Sequence, residues 1–378
     1  MKISYDFRFA NLPCGSWPYV SNVIAIIARE YPLTQWNIYH NSWCASQMRI
    51  VNIIKDDFAA EHDRFNFIPV KNTCLSLKHH LEFAKFKDDA DLYHYLHFDM
   101  PLGMKGLPLI CTIHDLYPLV LDGYCSPLKK KYFKYICKKN AQRAFKVITV
   151  SQNTKNDIIN HLGINPDKIE VIYQGHPEQF KPIDDPETLT AIKVKYQLPE
   201  NFILYTGNHK PHKNLPRLIQ AYAKLPKNLR DQFKMVLTGP ITAETHELKA
   251  LALALGIQND LHFIGMVDFD DLPAIYNLGS MSVMASLCEG FGIPLVESMA
   301  CGKPVICSNI SAMPEVVGDI GRKFDPYDID SISETLKHTL ENDIDNDNLK
   351  YINRASQFSW HNTALKTYEI YRQAAASK

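Results

Sequence analysis

Short apolar runs alternate along this chain with longer stretches whose apolar positions repeat at helical spacing. Ile3–Phe7, Asn37–His40, Asp91–Tyr95, Leu109–Ile113, Val147–Val150 and Ile169–Tyr173 read as strands. Helical patterns lie between several of them; the first opens at Pro18 and runs through Val20, Val23, Ile24, Ile27 and Ala28. After Gly175, the stretch Pro177–Pro186 is polar and turn-rich and reads as a linker. The alternation then restarts, with strands at Ile203–Tyr205, Met235–Leu237, Leu261–Ile264, Val283–Ala285 and Val305–Cys307. Helical patterns at 214–225, 244–255, 270–278 and 294–301 separate these. Such alternation predicts parallel, doubly wound sheets, here in two successive α/β domains that meet near residue 178. From Ser331 the tail reads as three helices, the last near Asn362–Ala375.

Length and composition agree with this division. At 378 residues the chain exceeds what one hydrophobic core normally fills. Hydrophobic content of 46% and charged content of 22% are ordinary for a soluble globular protein. A formal net charge of zero gives no overall bias toward nucleic acid, and none is expected as a partner. Residues 1–180 hold 21 Lys+Arg against 17 Asp+Glu, so the first half carries +4 and the second −4. The nine cysteines are odd in number and form no C-x-x-C pair, which predicts reduced thiols in a cytoplasmic setting. The N-terminus lacks the apolar block of a signal peptide, and no apolar run is long enough to span a bilayer. The expectation is a soluble protein, at most peripheral on a membrane.

Chemistry concentrates just after strands, where open α/β sheets bind ligands. In Glu289-Gly290-Phe291-Gly292-Ile293-Pro294-Leu295-Val296-Glu297, two carboxylates bracket a Gly-x-Gly turn ahead of a helix start marked by Pro294. The unpaired amides and positive dipole end of such a helix suit a phosphate. Glu297, one turn in, suits the vicinal diol of a ribose, because a carboxylate accepts two hydrogen bonds side by side. Read blandly, it is a glycine turn with a first-turn acid. Gly207-Asn208-His209-Lys210-Pro211-His212-Lys213-Asn214 crowds two lysines and two histidines against another helix start, and again suits phosphate. A nucleotide diphosphate held between these two loops is the expectation.

The first half offers weaker candidates. His114-Asp115 directly follows Leu109–Ile113; His114 either donates to a substrate hydroxyl, with Asp115 capping or orienting, or is satisfied within its loop. Gly15 and Ser16 either approach a ligand from the loop after the first strand or form a plain turn and helix cap. Residues 129–146 hold eight basic side chains and no acid, interleaved with Tyr132, Phe133, Tyr135, Ile136 and Phe145. Two readings fit: a helix lying on an anionic membrane, or a solvated lysine face over a core stripe. His79, His80, His94, His97 and Asp99 match no metal-ligand spacing, so no metal is expected.

Assembled in order, these stretches resemble a family 4 glycosyltransferase of the retaining, GT-B type, over nearly the full length. The most specific part is Glu289 to Val305, which resembles that family's E-x7-E signature. Thr112-Ile113-His114-Asp115-Leu116, Val150-Ser151, Tyr205-Thr206-Gly207 with His212-Lys213-Asn214-Leu215, and Met313-Pro314-Glu315-Val316-Val317-Gly318 fall in family order. The resemblance implies two Rossmann-like domains facing across a cleft. Residues 1–178, completed by a helix at about 360–378, would form the acceptor domain, and 179–359 the nucleotide-sugar domain.

The resemblance also implies roles. Glu297 holds the ribose; Glu289, with the backbone of Phe291 and Gly292 in the Gly290 turn, addresses hydroxyls of the transferred sugar. The amides of Leu295 and Val296 meet the phosphates, and Lys213 neutralises the diphosphate leaving group beside Gly207 and Asn208. His114 lies near the reaction centre, and Gly15, Ser16, His94 and Asp115 fall on the acceptor side. Asn208 stands where the family often has arginine, which leaves Lys213 with more of the charge. Cleft closure and sugar transfer with retention follow from the resemblance, with no cofactor and no divalent metal. The loop Gly-Asn-x-Lys-Pro-His-Lys-Asn resembles the mannosyl- and rhamnosyltransferase branch that builds bacterial surface polysaccharides. GDP-mannose is therefore the first donor, with a UDP-sugar or dTDP-rhamnose as alternatives and a saccharide or lipid-linked saccharide as acceptor. Nucleotide-sugar 2-epimerases share the scaffold but lack this E-x7-E arrangement. A binding-only protein, either a periplasmic-type receptor or an inactive scaffold, is the non-enzyme alternative; the missing signal block opposes the first and intact Glu289, Glu297, Lys213 and His114 the second.

Overall fold

The computed structural model describes residues 1–9, 16–71, 89–104, 106–342, 344 and 348–378. The chain divides into two compact units, Met1–Gly175 with Ser359–Lys378, and His176–Phe358.

The first unit is built on a seven-stranded sheet. Its strands are β1 (Lys2–Asp6), β2 (Gln35–His40), β3 (Phe65–Pro69), β4 (Leu92–Tyr95), β5 (Leu109–Ile113), β6 (Lys146–Thr149) and β7 (Ile169–Val171), in the order β3-β2-β1-β4-β5-β6-β7. Every pairing is parallel; Ile3 stands opposite Trp36 on one side and Leu92 on the other. β4 and β5 are buried at every position, as central strands of a parallel sheet usually are, although β4 carries His94 and β5 Thr112. The second unit repeats the design with β8 (Phe202–Tyr205), β9 (Lys234–Thr238), β10 (Leu261–Gly265), β11 (Met281–Met284), β12 (Val305–Ser308) and β13 (Arg322–Phe324). Its order is β10-β9-β8-β11-β12-β13, again all parallel.

The α/β reading of the hydrophobic pattern is correct, and its omissions have a common cause. β3 and β13 were not expected. Both are edge strands, and β13 buries only Phe324, so neither shows the apolar run that marks a central strand. The helix Pro186–Lys195 was also missed, because it buries no residue and carries no apolar stripe; Asp185 caps it by accepting from the Glu187 amide. Pairing in β11 ends at Met284, opposite Cys307, which leaves Ala285 and Ser286 beyond the strand.

Two features return the tail to the first unit. The last helix, Trp360–Ala376, buries Trp360, Thr363, Ala364, Thr367, Ile370, Tyr371 and Ala374 at helical spacing. Gly175 lets its start approach closely, since a Cβ there would lie 2.1 Å from the Trp360 nitrogen. The obstacle is backbone and cannot swing aside. Gly175→Ala is therefore expected to destabilise the first unit by about 1–3 kcal/mol, read as a lower urea midpoint.

Candidate functional site

In the second unit the strand order reverses between β8 and β11, and the two anion-suited loops follow these neighbouring strands. A crevice outside the carboxyl ends of strands at such a reversal is where open α/β sheets take ligands.

The first loop is fixed from beneath. The Tyr205 hydroxyl donates to the Asn208 carbonyl at 2.6 Å, and the Asn208 side chain accepts from the Lys210 amide at 3.2 Å. Gly207 has φ +148°, and Gly239 presses so close that a Cβ on it would lie 2.0 Å from the Gly207 oxygen. His209 is buried, with Nδ1 2.7 Å from Thr245 Oγ1 and Nε2 3.2 Å from the Thr238 carbonyl. His212 is buried too, and its carbonyl accepts from the Leu287 amide at 2.7 Å, which ties the two loops together. Burial, then the charges of Lys213 and Lys210, push the His212 imidazole down to about 4. Both histidines expected in the phosphate loop are therefore neutral near pH 7, and its charge rests on the lysines.

The second loop meets the first through one ion pair. Lys213 Nζ donates to Glu289 Oε1 at 2.6 Å, and the Ser286 hydroxyl donates to the same oxygen at 2.6 Å. Burial alone would raise the Glu289 carboxyl; the charge and hydrogen bond of Lys213, with Ser286 and His212, overcome it and hold the group below the usual carboxylate range. Ser311 grips the Glu289 backbone from both sides, accepting from its N–H at 3.0 Å and donating to its carbonyl at 2.9 Å. That geometry places Ser311 in left-handed backbone, φ +62°. Past Gly290, Phe291 is buried with its ring edge-on to Phe358 at 5.4 Å. Gly292 (φ +106°) then caps the helix Ile293–Ala300. One expected phosphate donor is already committed: the Leu295 amide donates to the Gly292 carbonyl at 2.9 Å, closing the first helical turn.

Glu297 lies deeper than a first-turn surface acid, at 5% exposure. The Tyr276 hydroxyl donates to its Oε2 at 2.8 Å. Burial raises the carboxyl to about 7, with Tyr276 opposing the rise. Burial and the nearby carboxylate in turn hold the Tyr276 phenol well above its ordinary value, so it remains a donor.

The first unit sorts its expected residues sharply. His114 lies just beyond β5, with Nδ1 3.3 Å from Gln174 Nε2 and its ring edge-on to Tyr19 at 5.4 Å. The Asp115 carboxylate accepts from the Tyr117 amide at 3.4 Å, at the start of the short helix Tyr117–Val120. His94 corrects its acceptor-side assignment. It sits inside β4, fully buried, with Nδ1 2.6 Å from Tyr371 Oη and Nε2 2.8 Å from Thr112 Oγ1. Burial lowers it to about 3, and with both nitrogens occupied it is a core histidine. Gly15, His79 and His80 lie outside the described residues, and Ser16 opens the helix Ser16–Glu30. The residues that sequence reasoning missed are Tyr276, Ser286, Ser311 and Gln174. None belongs to a spacing pattern, and each acts through a contact made by folding.

Among the described residues no cluster of three or more His, Cys, Asp or Glu is arranged to hold a metal. No helix there is long and apolar enough to cross a membrane.

Comparison with known proteins agrees with both units. Residues 190–357 match the family described as glycosyl transferases group 1, and residues 57–179 match glycosyltransferase family 4. The O-antigen chain mannosyltransferase B of Escherichia coli is 28% identical over 355 residues, covering 92% of each chain. The serotype-specific mannosyltransferase WbdA of Escherichia coli is 34% identical over 261 residues, which is 68% of this chain and 32% of that protein; this chain thus spans about a third of its length. A glycosyltransferase of Rickettsia africae superposes with a TM-score of 0.76 at 20% identity, covering 99% of this chain and 98% of that one. Anabaena HepE, solved with UDP and glucose, gives 0.77 at 19% identity, with 99% and 100% covered. These structures share the GT-B fold.

The buried carboxyl has a measurable pH signature. A folded-state value raised to about 7 stabilises the protein at low pH, where the group is neutral, and that contribution is lost as pH rises through about 7. The urea midpoint of the second unit should therefore fall between pH 5 and 8 by more in the parent protein than in Glu297→Gln.

Proposed function

We propose that this chain, which belongs to the group 1 glycosyltransferases, moves a hexose from a nucleotide diphosphate sugar to a saccharide acceptor with retention at the anomeric carbon. The observation that carries the reading is the Lys213–Glu289 pair, which joins two strand-end loops where the strand order of the second unit reverses. An incoming diphosphate competes for Lys213 and draws it from Glu289. The carboxylate then turns to a hydroxyl of the sugar, still held by Ser286. Lys213, with the N-terminus of the helix Ile293–Ala300, stabilises the negative charge of the departing diphosphate. Because these groups supply that charge, the reaction needs no divalent metal. The diphosphate takes the acceptor's proton on the face it leaves, so configuration is retained. Glu297, positioned by Tyr276, receives the ribose hydroxyls. Mannose is the favoured sugar and GDP-mannose the favoured donor, since the relatives at 28% and 34% identity are both named mannosyltransferases.

Transfer from GDP-mannose in the presence of EDTA tests this, with UDP-sugars and dTDP-rhamnose as the competing donors. Lys213→Ala should lower kcat by about 100-fold or more. Near-normal kcat would remove the leaving-group role.

The acceptor is proposed to be lipid-linked and met at an anionic membrane surface. The basic helix, Pro127–Arg143, turns Phe133, Ile136, Cys137, Asn140 and Ala141 into the core. A second stripe faces solvent: Leu128 is 79% exposed, Tyr135 59% and Tyr132 39%. Apolar and aromatic groups set among lysines suit an interfacial helix. Beside them a cavity of about 260 Å³ is lined by Leu119, Pro127, Lys130, Lys131, Lys134 and His161. Replacing Lys129, Lys130 and Lys131 with Glu should weaken binding to anionic liposomes roughly tenfold or more, and unaltered partitioning would end this reading.

A further inference from the structure

Three neighbouring strand ends of the first unit converge on one histidine. His114 follows β5. The helix Gln152–Leu162 follows β6, and its Thr154 hydroxyl donates to the His114 carbonyl at 3.3 Å. Thr154 is held in turn by the Ser151 hydroxyl at 2.9 Å. Gln174 follows β7, is buried, and brings its amide nitrogen to 3.3 Å from His114 Nδ1. The ring plane is set by Tyr19, which meets it at 86°. The remaining nitrogen, Nε2, is buried and has no hydrogen-bond partner among the described residues.

A carboxamide nitrogen only donates. Facing Nδ1, it requires a lone pair there, and a neutral imidazole then carries its single proton on Nε2. We propose that Gln174 is a positioning residue that locks His114 as a neutral Nε2–H donor to a ligand oxygen bound at the strand ends of this unit. The proposal rests on the glycosyltransferase reading of this site and adds to it a direction. His114 gives a hydrogen bond and does not take the proton of the acceptor hydroxyl. Burial supports the neutral form by lowering the imidazole to about 4, with His97 lowering it further; His94 is the other titratable group coupled to it. An orphaned buried donor is unfavourable while the protein is empty, and a ligand oxygen relieves it.

The test reverses the polarity of the Gln174 contact without changing its size. In the full-length protein labelled with 15N-histidine, the nitrogen shifts of His114, assigned by comparison with His114→Ala, should show Nε2 protonated and Nδ1 bare. In Gln174→Glu the carboxylate accepts from Nδ1–H, so the proton should move to Nδ1 and sugar transfer should fall about 100-fold. Gln174→Leu removes the contact but not the space; it should leave a mixture of tautomers and an intermediate rate. Nδ1 protonated in the parent protein would overturn the proposal. So would undiminished transfer by a Gln174→Glu protein whose tautomer has reversed. Full transfer by His114→Ala would instead remove the functional reading beneath it, while the nitrogen shifts would still report whether Gln174 sets the tautomer.

Discussion

A lysine and a carboxylate withdrawn from water 2.6 Å apart are the constraint around which the second unit is arranged. Both side chains are partly buried, so each charge is poorly solvated without the other. The pair therefore demands that two loops, whose charged side chains lie 76 residues apart in the chain, keep a fixed spacing. Much of the surrounding detail serves that spacing. Ser286 shares the carboxylate oxygen, Ser311 accepts strained backbone to hold Glu289 at both ends, and Gly239 lets a third loop press against Gly207. Such a pair is also poised for exchange. A more highly charged anion on Lys213 would leave the Glu289 carboxylate to the Ser286 hydroxyl.

The histidines show how little residue type alone says about role. His94 lies in β4 and His114 just past the neighbouring β5, and both are neutral through burial. His94 sits within β4, where both its nitrogens meet hydroxyls of its own unit. His114 sits one residue past β5, where one nitrogen is engaged among the described residues. A shift from inside a strand to just beyond it separates a core side chain from one at the strand ends, where open α/β sheets take ligands. In the second unit His209 and His212 make the same point, as both turn inward from a loop whose composition looked uniformly cationic.

Elements that bury themselves completely were legible from the chain. β4, β5, β8 and β11 are buried at every position and mostly apolar, and the last helix shows its buried stripe at helical spacing. The edges β3 and β13 and the helix Pro186–Lys195 were illegible, since they bury too little to leave a pattern. The glycine loop at Gly292 and the helix start at Pro294 were also readable, because each answers a local backbone requirement.

By itself, then, the sequence determined the two α/β units, the loops that end their strands, and the charged side chains those loops carry. These follow from local periodicity and local backbone chemistry, which need no knowledge of what packs where. Only the tertiary structure decided which of those side chains meet. It paired Lys213 with Glu289, set Tyr276 on Glu297, spent the Leu295 amide on its own helix turn, withdrew His94 into the core and placed Gln174 on His114. The reason is physical: hydrogen bonds and burial depend on distance in space, and the residues concerned are brought together by strand order, which no short window of sequence contains.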